Sequence, residues 1–167
     1  PETKNGKRHE IWLSDFALLQ LKSLHENTGL TPWLFPATQT KKDQPDFADH
    51  VCVKTVTKQV GDRQRPGDVP MSGRSKDVDA LVLPGGKWTP HDLRRTAATT
   101  MAELGALPDV VEKCLNHTEV GKVKRIYQRA QYEGPMREAW KLLGSRLTLL
   151  QDMAAGRVTN VVPLQRG

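Results

Sequence analysis

Apolar positions follow two different rhythms along this chain. In the C-terminal half, Met136, Trp140, Leu143, Leu147 and Leu150 recur at alternating steps of four and three. That repeat lines side chains along one face of a helix and predicts a long amphipathic helix opening at Pro135. Three helices are expected before it. Thr89-Pro90 offers a cap and a proline at the first helical position, for a helix reaching about Leu104 and stopped by Gly105. Pro108 opens a second, reaching Leu115, and a third is expected over 121–131. Near the start, Leu18, Leu21 and Leu24 can share a buried face of a helix over 15–28, with Ser14 as N-cap and Gly29 as its stop.

Elsewhere the rhythm breaks. Asn5-Gly6 is a hairpin turn signal, and His9 to Leu13 mixes polar and apolar residues as a short strand does. Residues 30–47 hold three prolines and read as a loop, with Leu34-Phe35 as a short buried segment. A helix over 48–61 is expected to end near Gly61, although Val51, Val53, Val56 and Val60 oppose it. Residues 62–88 read as irregular, with Leu81-Val82-Leu83 their one apolar island; a loop of that length is often functional. The tail, with Val158, Val161, Val162 and Leu164, fits a short strand. The expected fold class is mainly α, of α+β character, with a small antiparallel sheet or hairpin at the N-terminus. One domain is expected over 1–167, its core reaching about residue 150 and its tail covering 151–167.

Charge adds a partner class. Lys and Arg outnumber Asp and Glu by 25 to 19, for a net charge of +6. Such a balance favours a polyanion, nucleic acid above all, though the same charge also serves solubility. Cys52 and Cys114 form no CxxC pair and read as two ordinary thiols in a reducing cytoplasm. No apolar run has the length of a membrane span, and no signal peptide is visible. Five histidines without paired ligand spacing imply no metal, and nothing implies a cofactor.

The stretch Thr89-Pro90-His91-Asp92-Leu93-Arg94-Arg95 bears most directly on chemistry. His91 and Arg94 stand three apart in the first turns of a helix, on one face, where free N–H groups and the helix dipole favour an anion. They could clamp a phosphate. They could also be a solvated charged face, with Arg94 pairing to Asp92 or Glu103. Cys114-Leu115-Asn116-His117 follows, then Lys122, Lys124 and Arg125, then Tyr127 ten residues after His117. Tyr132, fifteen residues after that histidine, is the rival tyrosine.

Taken together, HDLRRTAATTMAELG, VVEKCLNH and IYQRAQY resemble the signature of the tyrosine recombinases, most closely the phage and genomic-island integrases. TKNGKRHEIWLS resembles that family's β-hairpin, whose turn follows a catalytic lysine, here Lys4. The resemblance implies site-specific DNA recombination through a 3′-phosphotyrosyl intermediate. Tyr127 would be the nucleophile, Arg94, His91 and His117 the phosphate and transition-state donors, and Lys4 the general acid to the leaving 5′-oxygen. Double-stranded DNA is the implied partner, with self-association on it, as a tetramer in the full protein. The implied setting is the cytoplasm of a bacterium or a phage-infected host. Asn116 stands where the family usually has glycine; asparagine accepts left-handed geometry. The family's first arginine precedes the hairpin and has no counterpart here, so the chain reads as cut at its N-terminal side and inactive alone. A non-catalytic DNA-binding module and a type IB topoisomerase-like enzyme are the alternatives.

Overall fold

A computed structural model describes residues 9–37, 49–117 and 132–158. Five helices stand among them: α1 (Asp15–Thr28), α2 (Thr55–Asp62), α3 (Pro90–Glu103), α4 (Pro108–Cys114) and α5 (Glu133–Ala154). Two compact units divide the chain, one of Pro1–Leu21 with Ala97–Gly167, the other of Lys22–Thr96. No described helix is long and apolar enough to cross a membrane. The mainly α expectation holds. The N-terminal hairpin is not seen: residues 9–14 carry no strand, and the Asn5-Gly6 turn lies outside the described residues. The helix expected over 121–131 and the strand expected in the tail also lie outside them, apart from Arg157 and Val158, which have no regular structure.

The first unit is built on apolar burial. Met101 of α3, Val110, Val111 and Cys114 of α4, Leu115, and Ala139 and Leu143 of α5 form one buried cluster. Met136, Trp140 and Tyr132 pack around it. The predicted stripe on α5 is therefore buried only along its first half; Leu147 and Leu150 are 37% and 44% exposed. α5 also begins two residues before Pro135, which costs nothing, because the first helical turn has no carbonyl to receive a proline's missing N–H. Burial pushes the Cys114 thiol up to about 11, so it behaves as a small apolar side chain. Gly144 is buried where a methyl group would overlap the Ser14 side chain. Ser14 is thereby held at the start of α1, where its hydroxyl accepts from the Ala17 N–H at 3.3 Å.

Three helices end in one geometry. Behind α3, Gly105 has φ +91°, and Ala106 N–H reaches back to the Met101 carbonyl at 3.0 Å. Behind α5, Gly156 has φ +66°, and Arg157 N–H reaches the Asp152 carbonyl at 2.9 Å. At the end of α4 the left-handed position is taken by Asn116, φ 53°, and His117 N–H reaches the Glu112 carbonyl at 3.0 Å. These are Schellman ends, which satisfy carbonyls the last turn leaves open.

In the second unit, α2 is shorter than the helix expected over 48–61. The β-branched run explains the difference. Val51 pairs instead with the 35–37 segment, its N–H reaching the Phe35 carbonyl at 3.0 Å beside an antiparallel bridge between Pro36 and His50. Leu34 and Phe35, expected to be buried, are 44% and 49% exposed and flank an apolar hollow of about 460 Å³ with Leu24, Val56, Val60 and Leu81. No residue of α1 is buried, so the Leu18, Leu21 and Leu24 face is only partly covered.

Residues 62–88 are irregular, as expected, but they are tied by polar contacts. Arg65 N–H donates to the Val78 carbonyl at 2.6 Å, and Leu81 N–H to the Arg63 carbonyl at 2.9 Å. Asp62 and Gln64 are 2% and 3% exposed. The Asp62 carboxylate lies 3.0 Å from Arg74 Nε, an ionic contact whose N–H is not aimed for a hydrogen bond. The Gln64 amide donates to the Trp88 carbonyl and accepts from the Trp88 N–H, both at 2.8 Å.

Candidate functional site

The N-terminus of α3 is closed by its own residues. Thr89 N–H and the Thr89 hydroxyl both donate to the Asp92 carboxylate, at 2.9 and 2.8 Å. This is the return half of a capping box, with aspartate in the place of the usual glutamate or glutamine; the Asp92 N–H itself donates to the Thr89 carbonyl at 3.0 Å. The Thr89 hydroxyl, then its N–H, hold the Asp92 carboxyl below its ordinary 3.8. Arg95, not Arg94, stands beside that carboxylate, at 3.4 Å. His91 and Arg94 are both exposed, in the first two turns of the helix. The sequence placed them there correctly; their sharing one turn of an N-terminus is what suits them to an anion.

His117 is fixed by different means. It is the residue directly after left-handed Asn116, so the Schellman end of α4 sets its backbone. Such ends commonly add an apolar contact between this residue and the one five before it. Here that contact is polar: His117 Nδ1 meets the Glu112 carboxylate at 2.6 Å. An ionised carboxylate can only accept, so Nδ1 carries the proton and Nε2 is left for other work. The imidazole keeps 46% of its surface exposed. Glu112 is the residue that sequence reasoning missed. Its signal was a glutamate five residues before a histidine, across an Asn helix stop.

Tyr132 is partly buried against the first unit's core, with the Lys113 ammonium 5.8 Å from its ring centre. A ring used in that way is a packing and cation–π element. Lys4 and Tyr127 lie outside the described residues. His91 and Arg94 thus stand together on the part of α3 that belongs to the second unit, and His117 stands with Glu112 in the first.

Residues 1–134 match a family described as the phage integrase family. Prophage integrase IntA of Escherichia coli (strain K12) is 29% identical over 140 residues, covering 82% of this chain and 28% of that protein. The chain thus spans a little over a quarter of that relative's length. No solved structure matches it.

Proposed function

Because the chain belongs to the phage integrase family of tyrosine recombinases, we propose that it supplies the catalytic part of an enzyme that cuts and rejoins duplex DNA at specific sites. In this reading the Tyr127 oxygen attacks a DNA phosphorus and the bond to the 5′-oxygen breaks. Lys4 gives that oxygen a proton, while the phenol's proton leaves to His91 or solvent. A 3′-phosphotyrosyl link stores the bond energy until a 5′-hydroxyl of a partner strand reverses the step. Arg94 holds the non-bridging oxygens with its planar fork, and His91 and His117 add donors where negative charge grows. The protein acts on double-stranded DNA in the cytoplasm and assembles on it, as a tetramer at full length.

The observation that supports this reading best is the state of His117. A family-motif histidine is oriented through Nδ1 by Glu112 and keeps an exposed ring. With Nδ1–H given to Glu112, Nε2 donates to a phosphate in the imidazolium form; that is more than a solvated helix end needs. In this reading the family's first arginine comes from outside this stretch, and the stretch by itself is expected to be nearly inactive: losing one oxyanion donor alone slows cleavage about 10²–10³-fold.

The test is adduct trapping. Full-length protein is mixed with nicked duplex spanning the element's integration junction, so that the cleaved end diffuses away. A covalent protein–DNA band is expected, lost in Tyr127→Phe and retained in Tyr132→Phe. The reverse pattern would move the nucleophile to Tyr132. No band from any protein would leave a DNA-binding module as the better account.

A further inference from the structure

Gln64 lies in the irregular stretch, carries no motif, and is 3% exposed. Its amide is fully used. Nε2 donates to the Trp88 carbonyl at 2.8 Å and to the Val60 carbonyl at 3.2 Å, and Oε1 accepts from the Trp88 N–H at 2.8 Å. One side chain thus grips both backbone groups of a residue 24 positions away, as a neighbouring strand would. The Trp88 indole adds a bond to the Leu81 carbonyl at 3.0 Å, and the Leu81 N–H is bound to the Arg63 carbonyl at 2.9 Å, next to Gln64. Trp88 directly precedes Thr89, the cap of α3, and His91 follows in the first turn.

We propose that Gln64 is a positioning residue for the phosphate-binding turn: its amide clasp on Trp88 sets where α3 begins, and with it the placement of His91 and Arg94. This rests on the functional reading above. Buried polar groups are held only when paired, and a buried primary amide with every strong bond directed at one backbone residue fixes that residue in two directions at once. Apolar packing of the same volume would keep the segment in place but allow it to slide. Phosphoryl transfer is sensitive to that difference, because a misplacement of about 1 Å costs on the order of 100-fold in rate.

The test uses full-length protein and the nicked integration-junction duplex. Gln64→Met keeps the volume and removes the clasp. It is expected to lower the single-turnover cleavage rate about 100-fold while duplex affinity stays within about threefold, since phosphate and groove contacts elsewhere are untouched. Gln64→Glu keeps an acceptor for the Trp88 N–H and loses the donor. It should fall between, at about tenfold, and it decides the matter if Gln64→Met does not fold. Hydrogen exchange supplies a readout without DNA: the Trp88 amide should be slow in the wild type and in Gln64→Glu, and fast in Gln64→Met. Wild-type cleavage rates in both variants would overturn the role while leaving the functional reading intact. Rate and affinity falling together in proportion to lost folded protein would make Gln64 merely structural. A wild type that forms no adduct overturns the functional reading, and this role with it.

Discussion

The two compact units of this chain are held by different forces. Every buried apolar side chain among the described residues, from Met101 to Leu143, belongs to the unit containing α4 and α5. Among the described residues of Lys22–Thr96, the buried side chains are Asp62 and Gln64, both polar. Apolar burial is non-directional and tolerates small shifts. A buried amide or ion pair is directional and costly to leave unpaired. The polar unit is also the one that carries His91 and Arg94. The contrast teaches that the long irregular stretch before α3 is a fixed scaffold, with hydrogen bonds in the place of a core.

Substitutions can break that contrast, and the largest effect is expected in the apolar unit. Met101 is fully buried. Met101→Ala should destabilise by about 2–5 kcal/mol, through lost transfer energy and the cavity left behind. Thermal melting should record it, with hydrogen exchange accelerated in α4 and α5. Arg74→Met should come next. It strands the Asp62 carboxylate, 3% exposed, without its ionic partner. The expected loss is about 1–3 kcal/mol, reduced because the Arg74 side chain keeps 28% exposure. Its signature should be fast exchange within 62–88 and unchanged protection in α5. Uniform acceleration across the chain would show that the two units do not differ in this way.

The smallest effects are expected at Asn116. Asn116→Gly should be neutral or slightly stabilising, because glycine meets no Cβ penalty at φ 53°. Asn116→Val should cost about 1–2 kcal/mol there. It should also loosen the hold of Glu112 on His117, seen as a change in the His117 imidazole signals by NMR. Equal melting temperatures for the two variants would contradict the Schellman reading of this turn.

How much could be read in the sequence follows the same division. Thr89-Pro90, Gly105, Pro108 and the spacing from Met136 to Leu143 are local signals, and they placed α3, α4 and α5 closely. Asn116 in left-handed geometry was legible too, because a residue standing in a glycine's place must take that conformation. The start of α2 was placed too early although Val51 argued against a helix there, since the strand-like pairing of Val51 with Phe35 depends on a segment distant in sequence. Gln64 and Trp88 were beyond reach for the same reason. No periodicity marks a side-chain amide that binds a backbone 24 residues away. Of the candidate site residues, His91, Arg94 and His117 are proposed from their motif, whereas Glu112 required the helix-end geometry that joins it to His117.

The central claim is that the turn carrying His91 and Arg94 answers the negative charge of a DNA phosphate. The most direct measurement replaces one non-bridging oxygen at the cleaved position with a methyl group, which removes that charge and leaves the rest of the duplex unchanged. On ordinary duplex, Arg94→Ala in the full-length protein should cleave about 10²–10³ times more slowly than wild type, the scale of losing one donor to a developing oxyanion. On the methylphosphonate duplex the same variant should cleave within a few-fold of wild type, because the charge that Arg94 would hold is gone. An equal defect on both substrates would contradict the claim and leave Arg94 with a role remote from the phosphate.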